Sequence, residues 1–404
     1  MKRILCLALC LALVWSLGAP ALAADHDHIY DDAGICTVCG EACPHSVWIN
    51  GVCAACGTSC DHPLWEEGRC ARCHILCQHP EHDRETQLCT TCGQFVAHTY
   101  VGGNCPRCGR WPALQSDPLP KWLFAPCSAS GSVQTLSYET HDYVQERADG
   151  GTHLRTKKLC VYLPYGYDPG EKYDVLILLH GMGDNERYWL LREQEYYDPN
   201  EEGYVYTTDL LDNMMAAGLC RKMIIVTPTF YPNSDNVWEF NRWRDQEQFT
   251  VELREDILPL IVNTYSTWAE DGSAESISAV REHFAYAGLS MGSIYAYNSI
   301  LPLCLDLFAW FGCFSGSETY MKITVDALNS VNYEKYPILF FYNSCGVNDG
   351  MRANHRQQYK QLVEKCPGLT ESVNATFTDI YNAAHSYQAW GLGLYNFLLL
   401  LFQQ

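Results

Sequence analysis

The sequence predicts an α/β protein with a doubly wound, mostly parallel β-sheet, preceded by a small region rich in cysteine and histidine. From about residue 131 onward, short apolar runs alternate with helical stretches. Such alternation is typical of a parallel sheet with helices on both faces. Before residue 110, closely spaced cysteines and histidines take the place of a hydrophobic core. Units of that kind need metal ions or cross-links for stability.

Eight apolar runs are the candidate strands of the large domain. The first two are expected to open the sheet as antiparallel strands, and the other six to be buried on both faces. The clearest helical pattern, 248–265, has apolar residues on one broad face. In a sheet of this type, functional sites form at the carboxyl ends of strands. The eight runs cover residues 133–138, 158–163, 175–179, 223–226, 285–288, 309–313, 338–342 and 376–381.

Length and charge limit the classes of function. The chain has 404 residues, of which 48% are hydrophobic, which is enough for one large core and a small appendage. A net charge of -20 and a pI near 5.0 argue against nucleic acid as a partner, because phosphate contacts require a basic surface. The predicted organisation is a signal peptide at 1–24, repeats at 25–109, a linker at 110–130 and the large domain at 131–404.

The N-terminal segment has the pattern of a secretory signal peptide. Lys2 and Arg3 form a basic start, residues 4–17 are almost entirely apolar, and residues 21–23 offer small side chains for cleavage. The apolar run is shorter than the ~20 residues that a spanning helix requires. No membrane span is therefore expected, and the chain is predicted to be secreted.

A repeated cysteine and histidine unit follows the signal peptide. Thirteen of the 22 cysteines and eight of the 14 histidines lie between residues 26 and 108. A complete unit has Cys-x-His followed by Cys-x-x-Cys. The second pair presents two thiolates to one ion from a tight turn, and the first completes a tetrahedral zinc site. Unit by unit, the predicted ligands are His26, His28, Cys36 and Cys39; Cys43, His45, Cys53 and Cys56; Cys60, His62, Cys70 and Cys73; Cys77, His79, Cys89 and Cys92; and His98, Cys105 and Cys108.

Structural zinc is the favoured interpretation of this array, and disulfide bonds are the alternative that an exported chain permits. Thirteen is an odd number of cysteines, and a Cys-x-x-Cys pair closes a strained ring that suits redox chemistry better than cross-linking. No ligand set offers an open position beside a general base, as catalytic zinc requires. The array is therefore expected to be structural, or to attach the chain to a cell-surface or protein partner.

One glycine-serine motif in the large domain predicts a nucleophile. The sequence Gly-Leu-Ser-Met-Gly at 288–292 follows the apolar run 284–287 and precedes a helical stretch. A sharp strand-to-helix turn at such a motif exposes the serine hydroxyl above the sheet, and the flanking glycines let neighbouring chain pass without a clash. The motif predicts Ser290 as the nucleophile. A flexible Gly-Ser loop is the alternative.

A second glycine-rich loop, at 180–183, follows another buried strand. In this arrangement the loop presents one backbone N–H to a developing oxyanion, and the N–H after the nucleophile presents the other. The predicted oxyanion donors are the N–H groups of Met182 and Met291. His180 is expected to support the loop and not to act as a base. A plain glycine turn is the alternative.

The acid and the base are expected after the serine, where later strands end. The loop after the run 338–342 contains one acid, Asp349, and two histidines follow it in the chain. His385 lies on a loop before the closing helix, whereas His355 lies in a polar helical run and is predicted to be on the surface. The order Ser290, Asp349, His385 therefore predicts a catalytic triad with His385 as its base.

These residues resemble the pattern of carbohydrate esterase family 1, which contains feruloyl and acetylxylan esterases, and of the related esterase D-like group. The resemblance covers about residues 131–404 and implies the α/β-hydrolase fold, ester hydrolysis, and catalytic roles for Ser290, Asp349 and His385. Ser293 departs from the family pattern because a glycine is common there, and 193–206 resembles an insertion. The similar segments are 161–168, 180–181, 263–267, 288–292, 303–308 and 345–349.

The resemblance implies that the substrate is a plant cell-wall polysaccharide ester, such as a feruloyl or acetyl ester of xylan. Trp189, Trp238 and Trp243 are expected in loops near the carboxyl edge, where aromatic faces stack on a sugar or a feruloyl ring; ordinary packing is the alternative. The reaction needs no metal or organic cofactor. Two other classes remain open: an inactive hydrolase-fold protein that binds a partner through its repeats, and a peptidase or acyltransferase with the same triad.

Overall fold

The computed structural model describes residues 114–116, 119–191, 207–232, 242–317 and 321–402, together with four two-residue strands near the N terminus. The chain divides into two compact units, residues 1–95 and 96–404. The four short strands form two antiparallel hairpins in the first unit: β1 (Trp48–Ile49) pairs with β2 (Val52–Cys53), and β3 (Trp65–Glu66) pairs with β4 (Arg69–Cys70).

Most of the N-terminal predictions lie outside the described residues. The signal peptide and the predicted zinc ligands belong to this part of the chain, except that the backbones of Cys53 and Cys70 lie in β2 and β4. In each hairpin the second strand ends at the first cysteine of a Cys-x-x-Cys pair. The zinc ligands and the signal peptide therefore stay predictions.

The second unit is built on one eight-stranded sheet, which confirms the predicted fold class. All eight predicted strands are present, in the spatial order β12-β11-β10-β9-β7-β8-β6-β5. β5 and β6 are antiparallel to their neighbours, as predicted, and the other six strands are mutually parallel. The strands are β5 (Ser132–His141), β6 (Leu154–Leu163), β7 (Asp174–Leu179), β8 (Met223–Thr227), β9 (Phe284–Leu289), β10 (Trp310–Phe314), β11 (Phe340–Gly346) and β12 (Ala375–Ile380).

Helices connect the parallel strands. The predicted helix at 248–265 is present, but it is interrupted by a π-helical turn before Pro259. A second π-helical turn directly precedes the segment containing Pro302, and proline lacks the N–H that an α-helical turn uses. The α-helices are α1 (Tyr143–Asp149), α2 (Thr207–Ala216), α3 (Arg242–Glu252), α4 (Leu258–Thr264), α5 (Ala274–Ala279), α6 (Met291–Tyr295), α7 (Leu301–Leu303), α8 (Met321–Leu328), α9 (Val331–Lys335), α10 (Arg352–Lys365) and α11 (Tyr387–Leu400); the π turns are Leu253–Ile257 and Ala296–Ile300, and short 3-10 turns lie at Lys121–Phe124 and Arg281–His283.

The hydrophobic core lies on both faces of the sheet. On β7, alternate residues contribute to opposite clusters: Val175 and Ile177 pack on one face, and Leu176 and Leu178 on the other. Every residue of β7 is buried, which explains why its sequence is a continuous apolar run and not an alternating one. Among the helices that the structure describes, none is long and apolar enough to cross a membrane.

The described part of the predicted linker at 110–130 packs against the sheet unit. Leu123 is buried at 1% exposure, and the Gln115 backbone exchanges two hydrogen bonds of 2.8 Å with the Asn396 side chain. Ser116 O accepts a hydrogen bond of 2.8 Å from Tyr381 N. The proline-rich composition predicted a linker, but buried leucines and backbone hydrogen bonds attach this segment to the sheet unit.

Candidate active site

Ser290 occupies a sharp turn between β9 and α6. Its backbone has φ 48 and ψ -109, a conformation that costs a non-glycine residue about 1–3 kcal/mol and persists only where the surroundings impose it. The flanking glycines are required sterically. A Cβ on Gly288 would lie 2.5 Å from the Gly292 carbonyl carbon, and a Cβ on Gly292 would lie 2.8 Å from His180 O. The predicted strand, turn and helix are therefore present with the serine at the apex.

The structure brings together the three residues of the predicted triad. His385 Nε2 lies 3.0 Å from Ser290 Oγ, and His385 Nδ1 lies 2.9 Å from Asp349 Oδ2. Asp349 follows β11 and His385 follows β12, so both side chains reach the serine from the carboxyl edge of the sheet. The Asp349 side chain is fully buried, whereas the His385 side chain is 38% exposed. The imidazole is therefore open to solvent, and the carboxylate bonded to it is not.

The Asp349 carboxyl is held in its ionised form. Burial by itself would raise its pKa, but hydrogen bonds from His385, the Met351 N–H and the Ser315 hydroxyl outweigh burial and lower the pKa below its ordinary value. An ionised carboxylate accepts a proton-bearing Nδ1 and leaves Nε2 with a free lone pair. In this arrangement His385 can take the proton of the Ser290 hydroxyl.

The loop after β7 packs directly against the serine turn. Gly292 N donates to His180 O at 3.1 Å, and a Cβ on Gly181 would lie 3.4 Å from Ser290 Cβ. Among the residues that the structure describes, the N–H groups of Met182 and Met291 have no hydrogen-bond acceptor. Their role as oxyanion donors stays a prediction.

His180 supports this loop, as its sequence context suggests. It is buried, with Nδ1 2.7 Å from Gly181 O and Nε2 2.9 Å from Thr229 Oγ1, and its ring stacks on Phe230. Burial lowers its pKa to about 3, so the ring is neutral. Because both nitrogens are occupied, His180 is not available as a base.

The prediction that His355 lies on the surface is wrong. Its side chain is fully buried, with Nε2 3.0 Å from Asn343 Oδ1, and burial lowers its pKa to about 3. The buried face of α10 has helical spacing but is made partly of polar residues: His355, Gln358, Tyr359 and Leu362. Hydrophobic periodicity cannot detect a buried stripe that consists largely of polar side chains.

The three predicted substrate tryptophans have different outcomes. Trp189 is 3% exposed and donates its indole N–H to Leu179 O at 3.1 Å, which favours the packing alternative over a substrate contact. Trp243 lies in the first turn of α3, and Trp238 lies outside the described residues. The aromatic ring beside the base is instead Trp390, with its centroid 5.0 Å from that of His385.

Further aromatic side chains extend this cluster away from the base. Tyr387 lies 5.3 Å from Trp390 and 4.5 Å from Tyr188, measured between ring centroids. The sequence carried a signal for two of these rings, because residues 387 and 390 are three apart on one helix face directly after His385. Within the described ranges, no group of three or more His, Cys, Asp or Glu side chains is placed to hold a metal ion.

Comparisons with known proteins agree with this fold. An esterase family model, described as "Putative esterase", matches residues 153–396. Endo-1,4-beta-xylanase Y of Acetivibrio thermocellus is 32% identical over 220 residues, covering 54% of this chain and 17% of the relative. An endo-1,4-beta-xylanase/feruloyl esterase of Xylanibacter ruminicola is 28% identical over 178 residues, covering 43% of this chain and 21% of the relative. The chain thus matches about a fifth of the length of these curated relatives.

One of the solved structures that resemble this chain is matched over nearly the whole length of the solved module. It is a serine-to-alanine variant of the feruloyl esterase module from Clostridium thermocellum, complexed with sinapinate. It is 27% identical to this chain, with a TM-score of 0.57, and the match covers 72% of this chain and 94% of that one. The part of this chain that carries the candidate site therefore matches a single module in this comparison.

Proposed function

We propose, from the premise that the chain belongs to the esterase family and is a carboxylic ester hydrolase, that Ser290 is its nucleophile, His385 its base and Asp349 the acid that orients the base. The observation that carries this proposal is the unbroken chain of hydrogen bonds from Ser290 Oγ through His385 to the Asp349 carboxylate. Three separate strand ends supply these groups, which is the arrangement that acyl transfer uses in this type of sheet.

The first half of the reaction transfers the acyl group to the serine. His385 Nε2 takes the Ser290 hydroxyl proton as Oγ forms a bond with the ester carbonyl carbon. The carbonyl oxygen becomes an oxyanion, which accepts hydrogen bonds from the Met182 and Met291 N–H groups. As the tetrahedral intermediate collapses, the sugar oxygen leaves with the proton from His385, and the acyl group stays on Ser290.

The second half releases the acid. His385 takes a proton from a water molecule, whose oxygen attacks the acyl carbon, and the proton then returns to Oγ as the bond to Ser290 breaks. Asp349 stays ionised throughout and stabilises the imidazolium that forms twice. No metal or organic cofactor takes part in this mechanism.

The proposed substrates are feruloyl or acetyl esters of xylan. Two features support this class. The curated relatives are named as a xylanase and as a xylanase/feruloyl esterase, and the solved module was complexed with sinapinate, an aromatic carboxylate. In this chain, the largely buried Trp390 and Tyr387 form an aromatic cluster with His385, and aromatic side chains beside the proposed base favour an aryl acyl group.

The test is release of ferulate and of acetate from xylan by the wild-type chain and by Ser290→Ala. The wild type is expected to release at least one of the two acids and to be labelled by a fluorophosphonate probe, whereas Ser290→Ala does neither. Ser299→Ala is the matched control, because this buried hydroxyl of the following π turn only bonds to Tyr295 O. Activity in Ser290→Ala would reject the nucleophile.

Probe labelling, together with peptide substrates and an added alcohol as acceptor, separates the other function classes. An inactive hydrolase-fold protein is not labelled at Ser290, and a peptidase or an acyltransferase turns over peptides or transfers the acyl group to an added alcohol faster than to water.

For the N-terminal region, we propose cleavage of a signal peptide near residues 23–24, secretion, and structural zinc in the repeats. The basis is the spacing of cysteines and histidines, which gives four complete four-ligand sets. Metal analysis of the secreted full-length chain is expected to find about four zinc ions per chain, with the cysteines titrating as thiols after denaturation in chelator. Oxidised cysteines without zinc would support disulfides instead. Such repeats would suit attachment to a cell surface or a protein partner.

A further inference from the structure

The loop that follows β10 lies against the nucleophile. We call Ser315–Ser317 the elbow clamp. The residue before it, Phe314, accepts a hydrogen bond of 2.8 Å from Ser290 N through its carbonyl. A Cβ on Gly316 would lie 2.4 Å from Ser290 O, so the two backbones are in direct contact. The elbow clamp therefore forms one wall of the strained serine turn.

The same loop also contacts the acid of the triad. The Ser315 side chain lies close enough to the Asp349 carboxylate to be one of the groups that lower the pKa of Asp349. Ser315 is fully buried and has a positive φ of 55, a conformation that is unfavourable for a residue with a side chain. Three consecutive residues thus join the nucleophile to the acid through a backbone that is itself strained.

His355 holds the middle of the elbow clamp. Gly316 N donates to His355 Nδ1 at 3.3 Å, and on the other side of the ring Nε2 lies 3.0 Å from Asn343 Oδ1. The same Asn343 oxygen accepts from Tyr297 OH at 2.7 Å. Because Nδ1 accepts the Gly316 hydrogen bond, the proton of the neutral ring must be on Nε2, which donates to Asn343. Both ring nitrogens have defined and different roles.

The surroundings of His355 keep the ring neutral and fixed. It lies edge-on to the Tyr297 and Phe377 rings, with centroid distances of 5.8 and 5.1 Å. Protonation would place a hydrogen on Nδ1, facing the Gly316 N–H, and would remove the acceptor. The Gly316 carbonyl is held as well, since it accepts a hydrogen bond from the Ser293 hydroxyl. Ser293 therefore adds a contact between α6 and the elbow clamp.

We propose that His355 is a positioning residue for ester hydrolysis: by accepting a hydrogen bond from the Gly316 N–H, it holds the elbow clamp in contact with both Ser290 and Asp349. This inference rests on the proposed function of Ser290. Strained backbone relaxes when its supports are removed, and a displacement of about 1 Å at a reacting atom costs on the order of 10²-fold in rate. His355 acts only through Gly316, Ser290 and Asp349, and does not contact the substrate.

Three variants at this position separate positioning from general stability. His355→Leu removes both hydrogen bonds, and kcat for a small aryl ester is expected to fall on the order of 10- to 100-fold with KM changed less than about twofold. His355→Asn can place its amide oxygen where Nδ1 was and keep the Gly316 bond. His355→Gln reaches the Nε2 position and keeps only the Asn343 bond. The asparagine variant is therefore expected to retain a higher kcat than the glutamine variant.

Leu362→Ala is the matched control, because Leu362 is fully buried on the same helix and has no hydrogen-bonding side chain. It is expected to lower the thermal unfolding midpoint as much as His355→Leu does, while kcat per labelled active site stays near the wild-type value. Fluorophosphonate titration counts the folded sites.

Two results would overturn the inference: equal kcat values for His355→Leu and Leu362→Ala, or a kcat for His355→Gln equal to or above that of His355→Asn. The second comparison holds even where His355→Leu does not fold. Activity in Ser290→Ala would instead reject the proposed function, so the two failures are distinguishable.

Discussion

Two loops hold the serine turn from opposite sides, and they are supported in different ways. The loop at 180–183, after β7, accepts a hydrogen bond from Gly292 N through His180 O at 3.1 Å. On the other side, the carbonyl of Phe314, at the start of the elbow clamp, accepts from Ser290 N at 2.8 Å. Each loop is stabilised by one buried histidine whose pKa is lowered to about 3 by burial.

The two histidines differ in their distance along the chain from what they support. His180 belongs to its own loop and bonds to the carbonyl of the next residue. His355 lies 39 residues beyond Gly316, on a different helix. One side of the turn is therefore supported by a local motif and the other by a helix that must first pack correctly. The comparison indicates that loss of the His355 acceptor on α10 would reach Ser290 through the elbow clamp.

The largest effect is expected from adding a methyl group where each loop meets the turn. In Gly316→Ala the new Cβ would lie 2.4 Å from Ser290 O, and in Gly292→Ala it would lie 2.8 Å from His180 O. Both neighbours are backbone atoms that cannot rotate away. For Gly316→Ala we expect the free energy of unfolding to fall by about 3 kcal/mol or more and kcat to fall on the order of 10²-fold. For Gly292→Ala we expect a smaller loss. Urea unfolding and initial rates check this, and wild-type kcat in Gly316→Ala would contradict the close contact.

The next effect is on the pH dependence of stability. In the unfolded chain each histidine has a pKa near 6.5, while in the fold His180 and His355 have a pKa of about 3. Between these values the unfolded state binds more protons, so acidification lowers the free energy of unfolding. His355→Asn and His180→Asn should each reduce that fall by up to about 1.4 kcal/mol per pH unit.

Urea unfolding of both variants and the wild type at about pH 4 and pH 6, within the window that the two pKa values define, measures this slope. Equal slopes in all three proteins would show that the histidines titrate normally in the fold.

A smaller effect is expected from Thr229→Val, which keeps the side-chain shape but removes the hydroxyl beside His180 Nε2. A buried nitrogen without a partner costs about 1–2 kcal/mol. The valine also removes the acceptor of the Tyr231 N–H, which is 3.3 Å away. Chemical unfolding should register this loss, with kcat reduced severalfold. Unchanged stability would mean that His180 finds another partner and that the loop is less dependent on this contact.

The smallest effect is expected from Asp379→Asn. Asp379 pairs with Arg352 at 2.9 Å and Arg356 at 2.7 Å, and so ties α10 to β12 near His355. Because both arginines are more than a third exposed, the pairs should contribute less than about 1 kcal/mol. Thermal unfolding is expected to change slightly and kcat not at all. A large loss of kcat would show that the orientation of α10 depends on these ion pairs more than on its buried face.

Much of the fold was predictable because its signals are local. The eight apolar runs predicted all eight strands of the sheet, and the glycine spacing around Ser290 predicted the sharp turn. The departures from prediction concern the burial of individual side chains, which depends on contacts that a local pattern does not contain. Residues 110–130 were predicted to be a linker because prolines and serines outnumber the leucines that anchor the segment. His355 was predicted to be exposed because its neighbours on the helix are polar.

By itself, the sequence determined the order and type of the strands along the chain and the order of Ser290, Asp349 and His385. These features could be predicted because the periodicity of apolar residues and the spacing of glycines are patterns that extend over only a few residues. Only the tertiary structure decided that Trp189 packs inside the fold and that a distant helix supplies the acceptor for Gly316. The Gly316–His355 hydrogen bond joins residues 39 apart in the chain, and burial of a polar side chain depends on partners that packing alone brings within hydrogen-bond distance.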